Sequence, residues 1–240
     1  MAAAVLLWDF GDTLVDERWM RTPPVGCPTW EAAWLEVMAH SADRWNLGAI
    51  TSTKIFDALS VRTGMAREQV EAHARRCCEQ LVFNETAWRV AKERWLPQAL
   101  VTVNPDLFAD HVVPVHGLTA VFDVIVVSSA EGTDDKSELC DRALTRLGYA
   151  GPRSAALLID NRGDLVNAWI DTGGAGYLFH SDEQFQTDLP NLLWRTRSHP
   201  TPGPSRTFCP MEATTLIQRD EAEPSPIAGT ASQIGRRTLL

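Results

Sequence analysis

Five short apolar runs constrain what this chain can fold into more than any other feature. They are residues 4–8 (AVLLW), 99–103 (ALVTV), 124–128 (VIVVS) and 156–160 (ALLID), with a weaker fifth at 176–179 (GYLF). Each is rich in Leu, Ile or Val and is flanked by polar residues or glycine. A strand covered on both faces has no solvent side, so it reads as a nearly continuous apolar run, and such strands belong to parallel sheets. Helical patterns separate the later runs. One spans 105–116, opening at Pro105 and stopping before Gly117; others span 134–147, closed by Gly148, and 163–171, closed by Gly173. Proline near the start and glycine past the end are helix boundaries, and Pro114 predicts an irregular last turn in the first of these. Strand alternating with helix predicts an α/β fold, a doubly wound, mainly parallel sheet with right-handed crossovers.

The rhythm breaks between the first and second runs. Residues 16–97 hold only helical patterns: PTWEAAWLEVMAHSADRW, with Trp30, Trp34, Leu35 and Met38 on one stripe; STKIFDALSVRTG, with Ser52 as its cap; MAREQVEAHARRCCEQLVF; and NETAWRVAKERW. We read residues 16–83 as an inserted helical subdomain and residues 1–15 with 84–196 as the α/β core, the fourth helix leading into the second strand. The tryptophans of this insertion read chiefly as packing residues between helices. From residue 197 to 240 the chain turns rich in Pro, Ser, Thr and Gly without periodicity, which predicts a disordered tail.

The formal charge of −9 argues against nucleic acid or an anionic membrane surface as a partner. It leaves a small anionic substrate open, because a local metal or lysine overrides the global sign. No apolar run approaches the ~20 residues of a membrane span. The opening MAAAVLLWDF has no basic segment before its short apolar run, so it reads as a buried strand and the protein as cytoplasmic. The five cysteines, Cys27, Cys77, Cys78, Cys140 and Cys209, form no CxxC pair and read as reduced thiols.

In open α/β sheets, ligands bind beyond the carboxyl ends of the strands. Here those ends carry Asp9, then Thr102 with Asn104, then Ser128 and Ser129 with Lys136 downstream, then Asp160 with Asp164 four residues on. Ser128, Ser129 and Glu131 read as loop and capping residues. Carboxylates converging on one point repel each other unless a cation sits among them, and hard oxygen donors suit Mg²⁺.

Four motifs in this order resemble the haloacid dehalogenase superfamily, most of whose members are Mg²⁺-dependent phosphatases. The family's D-x-D-x-T-[LV] corresponds to Asp9, Phe10, Gly11, Asp12, Thr13 and Leu14. Its Ser or Thr closing the second strand corresponds to Thr102, the hydroxyl nearest Asn104 in LVTVN. Its lysine, usually Lys-Pro, corresponds to Lys136, here followed by Ser137. Its strand ending in D-x-x-x-D corresponds to Asp160 and Asp164 in LLIDNRGD. The resemblance covers residues 4 to about 180, and it likens the helical insertion to the family's C1-type cap. It implies that Asp9 is the nucleophile, forming an aspartyl-phosphate. It further implies Mg²⁺ held by Asp9, the carbonyl of Gly11 and Asp160, with Asp164 positioning the metal or its waters. By the same resemblance Lys136 would neutralise the nucleophile and phosphoryl oxygens, and Thr102 or amides around Asn104 would bind the phosphate of a small phosphorylated metabolite.

The chain departs from the family at one telling position. Phosphatases of the family carry a second Asp two residues after the nucleophile, as general acid and base. Here that position is Gly11, and the nearest carboxylate is Asp12. Three readings stay open: a phosphatase whose proton comes from Asp12, a residue of the helical insertion or water; a carbon–halogen hydrolase, which needs neither that acid nor Mg²⁺; or a member that binds without turnover. The acidic pair Asp160 and Asp164 favours the metal-dependent reading.

Overall fold

Each apolar run forms a strand: β1 (Val5–Trp8), β2 (Gln98–Thr102), β3 (Val124–Val127), β4 (Ala156–Asp160) and β5 (Ala175–Leu178). The computed structural model describes residues 3–16 and 21–197. The strands pair in the order β3-β2-β1-β4-β5, all parallel. The chain thus runs outward from β1 through β2 to β3, then returns to the other side of β1 for β4 and β5. The direction of winding reverses between β1 and β4, the place where open α/β sheets bind ligands beyond their carboxyl ends.

The helices are α1 (Trp30–Asn46), α2 (Ser52–Thr63), α3 (Arg67–Glu79), α4 (Glu85–Glu93), α5 (Val113–Val115), α6 (Leu118–Val121), α7 (Ser128–Glu131), α8 (Lys136–Arg146), α9 (Gly163–Asp171) and α10 (Asp182–Arg197). The α/β class and the doubly wound parallel sheet are as the sequence predicts.

Several boundaries move, each for a local reason. β2 begins at Gln98, a polar residue that an apolar-run reading leaves out. The side chain is fully buried yet satisfied: Trp8 Nε1 donates to its Oε1 at 3.1 Å, and its Nε2 donates to the carbonyls of Ala91 and Val121 at 2.6 and 2.9 Å. The single helix expected over 105–116 is instead a π-turn at Phe108–Val112, followed by α5 and α6. Pro114 has no N–H, and its ring crowds the carbonyl four residues back. The Val113 N–H therefore bonds the Phe108 carbonyl, one residue further than an α-helix reaches. The helix expected from residue 134 starts at Lys136, because the Asp135 carboxylate caps it, accepting from the Ser137 and Glu138 N–H groups. Ser52 is not the cap of α2 but its first residue, and the preceding Thr51 makes no side-chain cap bond.

Alternation along the strands sorts their side chains onto two faces. Val5, Leu7, Ala99, Val101, Val126, Ala156 and Leu158 pack with Leu139, Cys140, Ala143 and Leu144 of α8 and Trp169 of α9. Leu6, Trp8, Leu100, Leu157 and Ile159 join the larger core shared with the helical layer, α4 and α10. Within that layer the tryptophans are packing residues. Trp30 meets His73 edge-to-face at 4.8 Å, Trp34 meets Trp45 at 6.3 Å, and Trp88 stacks on Phe83 at 4.3 Å. The first turn of α4 is tied to α10, where the Asp182 carboxylate accepts from Thr86 and Ala87 N–H at 2.8 and 2.9 Å.

Among the described residues no helix is long and apolar enough to cross a membrane, and Cys27, Cys77, Cys78 and Cys140 are free and buried. The expected tail over 197–240 lies outside the described residues, apart from Arg197 at the end of α10.

Candidate active site

The carboxyl ends of β1 and β4 bring together three ionisable side chains. Backbone pairing continues one residue past β1, with the Asp9 N–H donating to the Ile159 carbonyl at 2.9 Å. This holds Asp9 beside Asp160, the last residue of β4. Both follow the alternation that places Leu7 and Leu158 on the α8 face, and Lys136 opens α8 on that face. Its ammonium lies 2.6 Å from Asp9 Oδ1 and 2.9 Å from Asp160 Oδ2, and it donates to the Val101 carbonyl at 2.7 Å.

All three groups are removed from water: the side chains of Lys136, Asp160 and Asp9 are 1%, 0% and 12% exposed. One lysine faces two carboxylates, so the cluster keeps a net negative charge. Burial, helped by the Asp160 charge, pushes the Asp9 carboxyl up to about 6 against the pull of Lys136. The two carboxylates hold the Lys136 ammonium well above the usual lysine range despite its burial.

The turn after Asp9 is tight. The N–H groups of Thr13, Leu14 and Val15 all reach the Phe10 carbonyl. Asp12 carries this turn at φ +50°, a conformation that Asp adopts more readily than most residues, and its side chain is exposed. Gly11 is buried between Phe10 and Asp12 and pairs with Val15. Phe10 alternates to the other face, packing edge-on against Phe108 at 4.7 Å and Phe83 at 6.3 Å. An aromatic anchor thereby fixes the residue next to Asp9.

The remaining sequence-predicted residues divide. Thr102 and Asn104 are buried at the neighbouring end of β2, and Asn104 Nδ2 donates to Thr102 Oγ1 at 2.7 Å. By alternation Thr102 faces away from the Val101 and Lys136 side. Asp164 does not join the cluster: its carboxylate is exposed and takes both Nε and Nη2 of Arg162 at 3.2 and 2.6 Å. That pair holds the Asp164 carboxyl below the usual range. The Arg162 backbone N–H caps the other Asp160 oxygen, Oδ1, at 2.8 Å.

The sequence did not single out Asp106, and Ser128, read as a loop residue, has a structural role of that kind. Ser128 Oγ bonds the carbonyls of Asn46 and Asn104 at 2.6 and 3.1 Å, tying the end of α1 to the β2 loop.

The donor set fits a hard divalent cation of a particular kind. Asp160 Oδ2 is buried and its polar neighbour is the Lys136 ammonium at 2.9 Å. Two buried carboxylates sharing one ammonium leave negative charge that a further cation would offset. Among the described residues no three His, Cys, Asp or Glu side chains gather to hold a metal. Asp9 and Asp160 alone fall short of such a cluster, so a cation held here would need water or substrate oxygens to complete its shell.

No family model matches the sequence, and no curated protein matches it. Solved structures do. A HAD-family enzyme from Bacteroides thetaiotaomicron aligns at TM-score 0.62 with 14% identity, over 79% of this chain and 99% of that one. The same enzyme has been solved in complex with magnesium and inorganic phosphate, aligning at TM-score 0.55 and 14% identity over 75% of this chain and 96% of that one. The L-2-haloacid dehalogenase of Xanthobacter autotrophicus, with chloropropionic acid covalently bound, aligns at TM-score 0.54 and 17% identity over 79% of this chain and 83% of that one. With Asp9 and Asp160 at its central strand ends and Lys136 between them, this chain has the fold of the haloacid dehalogenase superfamily.

Proposed function

We propose that the chain is a hydrolase that works through an ester on Asp9, most simply a Mg²⁺-dependent phosphatase of a small phosphomonoester. One observation carries this reading: a buried lysine sits between two strand-end carboxylates, 2.6 Å from Asp9 and 2.9 Å from Asp160. Asp9 is the more exposed of the two carboxylates, so it is the one a substrate reaches. Its oxygen attacks phosphorus, the Asp9–phosphorus bond forms and the ester oxygen departs with its electron pair. Lys136 keeps Asp9 oriented and offsets negative charge as the two anions approach. Mg²⁺ would be held by Asp9, Asp160 and the Gly11 carbonyl, and would neutralise phosphoryl charge. Thr102 faces away from Lys136 and is bonded to the Asn104 side chain, so phosphate contacts at this strand end would fall to backbone amides around Asn104. Water then releases phosphate and regenerates Asp9.

The alkoxide that departs needs a proton, and Gly11 has none to give. The exposed Asp12 or solvent supplies it, which favours substrates with good leaving groups. The same glycine supports a second reading. Displacement of halide from a 2-haloacid by Asp9 needs no proton for the leaving group, and one of the similar folds is a haloacid dehalogenase.

The test is hydrolysis of p-nitrophenyl phosphate and a panel of metabolite phosphates, with and without Mg²⁺, against Asp9→Asn. Mg²⁺-dependent phosphate release that the variant lacks supports the phosphatase. Halide release from 2-chloropropionate without metal, again lost in Asp9→Asn, moves the assignment to the second reading.

A further inference from the structure

One carboxylate outside the Asp9 cluster gathers an unusual number of donors. Asp106 lies two residues past Asn104, at the start of the helical stretch that follows β2. Its Oδ1 accepts from Trp45 Nε1 at 3.0 Å, Ser52 Oγ at 2.5 Å and Leu107 N–H at 3.1 Å, and the Ser52 N–H reaches both oxygens at 3.0 and 3.1 Å. Trp45 is the penultimate residue of α1 and Ser52 the first of α2. Asp106 therefore supplies from the sheet the cap that Thr51 does not provide.

Two further contacts fasten the same stretch. Ser128 Oγ bonds the Asn46 carbonyl and the Asn104 carbonyl together. Gly48 is pressed so close that a Cβ there would stand 2.2 Å from the Ser129 carbonyl oxygen, while the Ser129 N–H donates to the Asn104 carbonyl at 3.3 Å. The turn between α1 and α2 is thus locked to the loops after β2 and β3, on the edge of the sheet where Asn104 sits.

We propose that Asp106 is a positioning residue for the active site, holding the α1–α2 turn and the Asn104 loop in one arrangement. This rests on the Asp9 hydrolase reading. Asp106 touches no reacting atom; it acts by keeping the binding-competent arrangement populated. When that population falls by a factor, apparent substrate affinity falls by the same factor, while turnover of the bound complex is unaltered.

The experiment compares wild type, Asp106→Ala, Asp106→Asn and Ser52→Ala, using p-nitrophenyl phosphate with Mg²⁺ and amide hydrogen exchange. We expect Asp106→Ala to raise KM about tenfold with kcat within twofold, and to speed exchange at Ser52 and Ser129 while Val101 stays protected. Asp106→Asn, which keeps an acceptor oxygen, recovers most of the KM. Ser52→Ala shows a smaller KM rise and stands in if the alanine variant fails to fold. An unchanged KM in a variant whose Ser52 amide exchanges freely overturns the proposal, as does a loss confined to kcat. If wild type hydrolyses nothing, the hydrolase reading fails by itself. The exchange at Ser129 still judges the lock, and unaltered protection there in Asp106→Ala overturns it.

Discussion

Two carboxylate sites stand at neighbouring strand ends and are neutralised by opposite means. Asp9 and Asp160 share one ammonium, leaving negative charge uncompensated in a buried place. Asp106, half-buried, is surrounded by neutral donors from three residues besides itself, Trp45, Ser52 and Leu107. A carboxylate satisfied by neutral N–H and O–H groups has its electrostatics settled within the fold and serves as a fastener. A pair of carboxylates sharing too little positive charge is primed to accept a cation or to react. The difference separates a site that holds structure from one that stores reactivity.

The strongest way to break the comparison is to neutralise Asp9. Asp9→Asn should lower turnover roughly 10³-fold or more, while leaving thermal stability equal or higher. The sign follows from the Asp9 carboxyl, raised from 3.8 to about 6. A raised folded value contributes stability below the unfolded value, and that contribution is lost as pH rises through 6. At neutral pH the ionised group is a burden that the amide lacks, and Lys136 keeps Asp160 as its counterion. Parallel measurements of activity and melting temperature check this; a large drop in melting temperature would make Asp9 a structural residue.

Removing the shared cation should do the reverse. Lys136→Met leaves two buried carboxylates facing each other, and loss of one partner from a buried ionic cluster costs about 3–5 kcal/mol. Urea unfolding at neutral pH measures it. The loss should shrink as pH falls and the carboxylates protonate; a loss that is flat with pH would assign it to packing instead.

The contrast also explains what could be read from the chain without coordinates. Asp9 and Asp160 were legible because each ends a run of Leu, Ile and Val, where an acid has no solvent face to occupy, and Lys136 because it opens the next helix in order. Asp106 was not legible. Its partners Ser52 and Trp45 are 54 and 61 positions away, so no local spacing marks it, and an acid after proline at a helix start has a local explanation already. Asp164 shows a related limit. Spacing located its backbone beside Asp160, but side-chain direction is decided by Arg162, two residues before it. The β2 boundary failed because a polarity reading excludes Gln98, whose burial depends on acceptors brought together by folding.

The fastener can be attacked without touching its charge. Gly48→Ala drives a methyl into the Ser129 carbonyl and strains a backbone at φ +70°. Overpacking of this kind costs about 1–3 kcal/mol. Urea unfolding should show the loss, and hydrogen exchange should rise at Ser52 and Ser129 before the sheet opens. Loss of stability with unchanged exchange at those two amides would disconnect Gly48 from the Asp106 lock.

The smallest effect belongs to the helical layer, whose one buried titratable ring has no charged partner to hold its proton. His73 packs edge-on against Trp30, and its Nε2 contacts the Thr22 carbonyl at 2.9 Å and Cys77 Sγ at 3.5 Å. Burial, with the Arg76 charge nearby, lowers its pKa below the usual 6.5, although the Thr22 carbonyl acts the other way. The folded state therefore prefers the neutral ring. Its contribution is fully present above pH 6.5 and declines as pH falls through 6.5 toward the lower folded value, because the unfolded chain takes up the proton first. Melting temperature against pH should fall on the acid side of 6.5, and His73→Phe, which keeps the ring on Trp30, should flatten that limb. If the variant's curve parallels the wild type's, the acid sensitivity comes from groups other than His73 and Asp9, since the raised Asp9 carboxyl predicts the opposite slope. The two regions thus pull the pH profile in contrary directions, and this variant separates them.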